Sequence, residues 1–240
     1  MQQFGIIGYP LEHSFSAKYF TKKFNDENID ARYELYPLKS IESFDALCRQ
    51  HHFTGLNVTL PYKEAIIPCL DELDDTARQI GAVNVIHFHD GKLIGYNTDT
   101  LGFMQSIQPL IQPHHRQALI LGTGGAAKAV NYALRKLNIM ATFVSRNHEK
   151  GITYQELTPH IFARHQIIVN CTPLGMYPQI EDCPPIPYQY ITSEHLVYDV
   201  VYNPDETLFL KKAKTQGAVT RNGMSMLTGQ AQAAWKIWNS

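Results

Sequence analysis

The sequence predicts an α/β protein, because short apolar runs alternate with longer segments of helical spacing and because a glycine-rich turn joins one such run to one such segment. Its 240 residues are 44% hydrophobic and 18% charged, ample for a packed core and too little charge for a disordered chain. That length lies between one large domain and two small ones.

The first half reads as strand, helix, strand, helix, strand. Residues 4–8 form an apolar run that stops at Tyr9-Pro10, and residues 16–25 place Phe20 and Phe24 four apart on one helical face. Strands are predicted over 33–36 and 55–59, the latter stopped by Pro61, with a helix over 41–50 between them. Residues 63–70 and 73–80 read as two short helices separated by acidic residues. Residues 83–89 and 92–95 flank Asp90-Gly91, a strong signal for a two-residue hairpin. The pattern implies a mainly parallel sheet with an antiparallel appendage.

A second unit begins near residue 117, where a buried-looking strand over 117–121 runs into Gly122-Thr123-Gly124-Gly125-Ala126-Ala127 and a helix to about 137. Further strands are predicted over 141–144, 166–170 and 196–201, with a helix over 207–215 and a short strand at 218–219. A last helix spans 225–238, and residues 184–187 are too short a proline-rich stretch to be a linker.

Composition excludes several classes of function. Lys and Arg number 21 against 22 Asp and Glu, so there is no basic footprint for a nucleic acid. No apolar run reaches the roughly 18 residues that cross a bilayer. The N-terminus lacks a signal peptide, and Cys48, Cys69, Cys171 and Cys183 form no C-x-x-C pair, so a cytoplasmic protein with reduced thiols is expected. His87 and His89 alternate on a strand, and His51-His52 and His114-His115 are adjacent pairs, but none has the spacing of a metal site.

Gly122-x-Gly124-x-x-Ala127 between strand and helix points to a dinucleotide. Its glycines permit a tight turn and close approach of a pyrophosphate to the backbone, while the helix N-terminus supplies free N–H groups. Units that bind NAD usually place an acid at the end of the next strand. Here Ser145, Arg146 and Asn147 stand there, with Lys150 close behind, and a guanidinium can receive a 2′-phosphate, so NADP is favoured. An ordinary basic turn would look the same.

Polar groups gather at strand ends in the first hundred residues: Ser14, Ser16, Asn57, Thr59, Lys63, Asn84 and Asp99. Taken singly, each fits a turn, a cap or a surface position. Together they offer hydroxyls, amides, one cation and one carboxylate, which suits a polyhydroxylated acid. The pieces Tyr9-Pro10 to Ser16, Asn57-Val58-Thr59-Leu60-Pro61-Tyr62-Lys63, Gly81-Ala82-Val83-Asn84 and Asn97-Thr98-Asp99 with Gly102-Phe103 are followed by the glycine-rich turn. Next come Asn170-Cys171-Thr172-Pro173-Leu174-Gly175-Met176, then Tyr198-Asp199 with Tyr202, and Gly223 to Gln230. In this order, across nearly the whole chain, the sequence resembles the shikimate dehydrogenase family.

The resemblance implies NADPH-dependent reduction of 3-dehydroshikimate to shikimate, a step toward aromatic amino acids, with no metal. It implies two domains with the active site in the cleft between them: an N-terminal, mainly parallel α/β substrate domain over 1–101, and a Rossmann-like cofactor domain over 102–222. The C-terminal helix, 223–240, would return to the first domain. In this family the serines matching Ser14 and Ser16 hold the substrate carboxylate, and residues matching Asn57, Thr59, Asn84, Asp99, Tyr202 and Gln230 contact the substrate. Lys63 matches the catalytic lysine and Asp99 its partner. Gly122 to Ala127, Ser145, Arg146, Asn147, Lys150, Thr172, Val200 and Gly223 match cofactor-lining positions, and Asp75 matches an acid sometimes linked to the cofactor.

Three features depart from the family. Ala17 replaces a common proline, Val200 a common methionine, and the chain is short, with 104–117 reading as a trimmed connection. The expected species is a monomer or homodimer acting on a small molecule. A quinate/shikimate dehydrogenase that uses NAD, and a non-catalytic ligand sensor on the same fold, are the rival readings.

Overall fold

The computed structural model describes residues 1–11 and 14–240; Glu12 and His13 lie outside the described residues. The chain divides into two compact units, one made of Met1–Thr98 with Ala231–Ser240 and the other of Asp99–Gln230.

The first unit comprises β1 (Gln2–Gly8), α1 (Phe15–Asp26), β2 (Ala31–Pro37), α2 (Phe44–Gln50), β3 (Gly55–Val58), β4 (Glu72–Leu73), α3 (Asp75–Ile80), β5 (Val85–His89) and β6 (Lys92–Tyr96). Its sheet runs β2-β1-β3-β5-β6-β4. β1 lies parallel to β2 and β3, while β5 is antiparallel to both β3 and β6. The β5–β6 turn has φ of 49° at Asp90 and 75° at Gly91, the left-handed pair that a two-residue hairpin requires. Phe20 and Phe24 of α1 pack on Phe4, Tyr33 and Val85 in a core completed by Ala231, Ala234 and Trp238 of the last helix. The Trp238 indole N–H donates to the Ile86 carbonyl at 3.0 Å, and a side chain at Gly55 would collide with the indole ring. Residues 231–240 therefore pack within the first unit.

Two local expectations fail here. Residues 63–70 form turns and a short 3₁₀ segment, Ile67–Cys69, because Pro68 has no N–H and disfavours α geometry at the residue before it. Leu73 lies in β4 rather than in a helix. The Asp74 carboxylate caps α3 by accepting from the N–H groups of Thr76 and Ala77, which sets the helix start beyond it.

The second unit comprises α4 (Asp99–Ile107), β7 (Gln117–Leu121), α5 (Gly125–Lys136), β8 (Met140–Ser145), β9 (Ile152–Thr153), α6 (Pro159–Arg164), β10 (Ile167–Asn170), β11 (Leu196–Asp199), α7 (Leu208–Thr215), β12 (Val219–Arg221) and the first seven residues of α8 (Met224–Trp238), as far as Gln230. Its sheet, β12-β11-β10-β7-β8-β9, is parallel throughout. Both faces are covered, which is why the strands read as continuous apolar runs. Ala118, Ile120, Ile167, Val169, Leu196 and Tyr198 face one core with Phe103, Val130 and Leu134. Leu119, Leu121, Val144, Ile168 and Val197 face the other with Phe162 and Phe209. The stretch expected to be a trimmed connection continues α4 as far as Ile107. β9 and α6 have no counterpart in the sequence reading; at two and six residues they are too short to show a period.

Among the described residues, no helix is long and apolar enough to cross a membrane, and no group of His, Cys, Asp and Glu is arranged to hold a metal ion. The His87 and His89 rings do lie side by side, 5.1 Å apart. All four cysteines are free.

Two histidines are built in as neutral rings. His115 Nδ1 accepts the Gln112 N–H at 3.0 Å, so Nε2 carries the proton and donates to the Glu194 carbonyl at 3.2 Å. His195 repeats the arrangement, accepting from Thr192 N–H at 3.0 Å and donating to the Phe162 carbonyl at 3.2 Å. Burial lowers the pKa of both, and of His87 and His165, below the ordinary 6.5. The unfolded chain thus binds these protons more readily, so stability is present above about pH 6.5 and drains away as the pH falls below it. Asp199, pushed up to about 6 by burial, works in the opposite direction but is a single group. The urea midpoint is expected to fall between pH 7 and pH 5; a flat profile would show that the charged rings find partners in the fold.

Candidate active site

Strand register gathers the polar residues of the first unit. Ile6 of β1 lies opposite Asn57 of β3, Asn57 opposite Val85 of β5, and Val85 opposite Tyr96 of β6. β1 and β3 end at the edge where β5 begins and β6 ends. Thr59, Asn84 and Thr98, one or two residues beyond these positions, therefore emerge along that edge. β3 stops at Val58 rather than Thr59, but the Thr59 N–H still donates to the Ile7 carbonyl at 2.9 Å and extends the ladder.

Hydrogen bonds tie these residues into one buried relay. The Tyr33 hydroxyl donates to Asn57 Oδ1 at 2.6 Å and is also hydrogen-bonded to Ser16. Asn57 Nδ2 donates to the Asn84 carbonyl at 3.3 Å. The Asn84 amide is held twice by Thr98, accepting its N–H at 2.7 Å and donating to its hydroxyl at 3.0 Å. Burial drives the Tyr33 pKa well above 10, so its proton is retained and the donor direction is set. Ser14 caps α1 by accepting the Ala17 N–H at 3.3 Å, which leaves its own hydroxyl proton for a ligand. Lys63 is half-buried, and its carbonyl accepts the Val83 N–H at 2.7 Å, so its backbone is braced against the segment that carries Asn84.

The second unit holds the remaining candidates. Asp99 is buried in the first turn of α4, directly after Thr98, where a negative charge suits the helix dipole. Gln230 is buried in α8 and Tyr202 is half-buried after β11. Asp75, by contrast, is exposed and paired with Arg78 at 2.6 Å, the geometry of a surface ion pair.

The glycine-rich turn follows β7. Gly122 has φ of 103°, which a side chain would strain, and a Cβ there would meet Thr172 at 3.2 Å. Gly124 is the N-cap of α5 with an extended backbone, and a Cβ there would meet nothing within 4 Å. Without a capping side chain, the first-turn N–H groups beside Thr123, Gly125 and Ala126 remain available to an anion, and the open side of Gly124 gives it an approach. Ala127 is buried against the sheet, where a larger residue would push the helix off.

At the end of β8, Ser145 Oγ accepts the Asn147 N–H at 3.1 Å, and Asn147 Oδ1 accepts the Glu149 N–H at 3.0 Å. This folded turn leaves Arg146, Asn147 and Lys150 exposed, with no acid at the strand end. On the other side of β7, Thr172 follows β10 and Val200 follows β11. Gly223 sits against the Val200 backbone carbonyl, where any side chain would collide, and its N–H donates to the Val201 carbonyl at 3.1 Å. The residues present fit a dinucleotide with a 2′-phosphate.

Several residues that build these sites carried no role in the sequence reading. Tyr33 and Thr98 orient the two asparagines, and Asn170 and Asp199 join two strand ends. The only available signals were a polar residue closing each apolar run, as in Ile-Ile-Val-Asn and Leu-Val-Tyr-Asp.

A profile of the shikimate dehydrogenase substrate binding domain matches residues 6–86. Among curated relatives, a shikimate dehydrogenase (NADP(+)) of Methanosphaera stadtmanae is 38% identical, with 98% of this chain and 90% of the relative covered. The solved shikimate dehydrogenase of Aquifex aeolicus has a TM-score of 0.89 at 36% identity, covering 100% of this chain and 92% of that one. A shikimate 5-dehydrogenase of Thermus thermophilus, solved in complex with NADP(H) and shikimate, has a TM-score of 0.88 at 29% identity, covering 99% and 93%.

The open side of Gly124 separates folding from binding. Serine is a better N-cap than glycine and its Cβ meets no protein atom, so Gly124→Ser is expected to leave the thermal midpoint unchanged or raise it. Its hydroxyl would occupy the N–H groups and crowd an incoming pyrophosphate, weakening NADPH at least about tenfold. A titration that found unchanged affinity would remove this turn from the nucleotide site.

Proposed function

Since the chain belongs to the shikimate dehydrogenase family, we propose that it catalyses the reversible, NADPH-dependent reduction of 3-dehydroshikimate to shikimate. The observation that carries this reading is the gathering of Thr59, Lys63 and Asn84 at one sheet edge by strand register and backbone hydrogen bonds, with Asn84 oriented by a buried relay. Ser14, at the start of α1, offers its hydroxyl proton to the substrate carboxylate, helped by the positive end of the helix, and Ser16 turns its proton from the Tyr33 hydroxyl to do the same. Thr59, Asn84, Tyr202 and Gln230 read the ring hydroxyls. Asn57 holds Tyr33 and Asn84 and keeps one amide proton for the substrate.

When bound, NADPH supplies the hydride that reduces the ketone carbon. Lys63, as an ammonium, stabilises the negative charge growing on the ketone oxygen and donates the proton; in the reverse direction the neutral amine accepts it. Asp99 holds a substrate hydroxyl, a positioning role. A cytoplasmic, reducing location accords with four free cysteines.

Oxidation of shikimate with NADP+ tests the assignment directly, and absence of turnover would favour a ligand sensor. Lys63→Ala is expected to lower kcat by about 10²–10⁴-fold while shikimate still binds. A near-normal kcat would show that another group moves the proton.

Cofactor choice is tested at the exposed turn. Arg146→Ala is expected to raise KM for NADPH with little change for NADH, since a charged hydrogen bond to the 2′-phosphate contributes about 1.5–3 kcal/mol, roughly 10- to 150-fold. Equal losses with both cofactors would mean that Arg146 stacks on the adenine or supports the turn instead.

A further inference from the structure

Asp199 ends β11 and is fully buried, yet its partners are all neutral. The Asn170 amide donates to Oδ1 at 3.0 Å, the Val201 N–H donates to the same oxygen at 3.0 Å, and the Thr207 hydroxyl donates to Oδ2 at 2.6 Å. A carboxylate without a cation is a costly choice for simply pinning a loop. Its chemistry explains the choice: both oxygens only accept, so Asn170 can present only its amide nitrogen. The Asn170 carbonyl oxygen is thereby turned to the far side, where it accepts the Thr172 N–H at 3.0 Å and the Thr172 hydroxyl at 2.6 Å. With its proton committed, Thr172 Oγ1 can act only as an acceptor, and it takes the Leu174 N–H at 3.3 Å. One lone pair remains for a donor from outside.

The position of this chain of bonds matters as much as its direction. Asn170 lies opposite Leu121 in β7 and Asp199 in β11, and Leu121 lies opposite Val144 in β8. A dinucleotide with its pyrophosphate at the turn after β7 and its 2′-phosphate beside Arg146 after β8 must extend its other half over β10 and β11. Thr172 also lines the underside of the turn, since a Cβ on Gly122 would meet it at 3.2 Å.

We propose that Asp199 is a positioning residue for the cofactor: through Asn170 it orients Thr172 as an acceptor for a ribose hydroxyl or carboxamide N–H of the nicotinamide half. This rests on the dinucleotide reading of the second unit. Burial pushes Asp199 up to about 6, which leaves it mostly ionised at neutral pH.

The test is a titration of the full-length protein and its variants with two probes, NADPH and adenosine 2′,5′-bisphosphate, which contains only the adenosine half. Asp199→Ala is expected to weaken NADPH about tenfold and to leave the bisphosphate unchanged, because the acceptor lost lies on the nicotinamide side. Asp199→Asn should restore NADPH affinity relative to the alanine variant. The Val201 N–H holds the new amide with its oxygen toward Asn170, and the Thr207 hydroxyl can turn to accept from its nitrogen. If Asp199→Ala does not fold, Asn170→Ala cuts the same chain beyond the carboxylate and should show the same loss of NADPH alone. Unchanged NADPH affinity, or equal losses of both probes, would overturn the proposal. Wild-type protein that binds neither probe would instead overturn the dinucleotide reading beneath it.

Discussion

Strand register is the constraint on which both units depend. A strand delivers a side chain to a ligand only where the ladder stops, and a ladder stops along a common edge only when its neighbours are in step. In the first unit, Ile6, Asn57, Val85 and Tyr96 lie in one row across four strands, and in the second, Val144, Leu121, Asn170 and Asp199 do the same. A slip of one residue would invert every side chain, turning Asn57 or Asp199 to the other face and a core residue into its place. The alternating cores on the two faces of the parallel sheet oppose any such slip, so hydrophobic packing sets the position of the polar groups.

The polar residues in turn restrict what the backbone beyond the strands can do. The relay from Tyr33 through Asn57 and Asn84 to Thr98 crosses β2, β3 and the segments flanking β5 and β6. A buried donor or acceptor left without a partner costs about 1–3 kcal/mol, so the arrangement holds as a set or not at all. Lys63 belongs to no helix, yet its carbonyl receives the Val83 N–H, which fixes a cationic residue in a stretch of turns relative to the relay. Rigidity at the site comes from these cross-strand bonds more than from regular structure in the segment that carries the lysine.

Legibility followed the range of each interaction. The Asp90-Gly91 hairpin and the glycine-rich turn are readable because each is decided within a few residues by backbone sterics or local hydrogen bonding. The helix expected over 63–70 fails for an equally local reason: Pro68 supplies no N–H and disfavours α geometry at the residue before it. The roles of Tyr33, Asn170 and Asp199 were not readable, because Tyr33 and Asn57 are 24 residues apart and Asn170 and Asp199 are 29 apart, and only the register brings them together. Candidate residues named from the sequence are mostly those a ligand would touch; those added by the structure orient them.

The two glycines of the turn show why a motif is not one signal. Gly122 is required by the chain itself, since its positive φ and its closeness to Thr172 would trouble any side chain with or without a ligand. Gly124 has an extended backbone and open space about its Cα, so nothing in the protein requires a glycine there. A residue whose absent side chain relieves no internal contact points to something outside the chain that needs the room. Arg146 is a different case again, an exposed side chain on a turn that Ser145 and Asn147 hold together without it. The backbone at Gly124 suits any pyrophosphate, whereas in the proposed reading the Arg146 guanidinium answers to the 2′-phosphate. On that reading, binding the common part and choosing between cofactors rest on separate elements, α5 and the turn after β8.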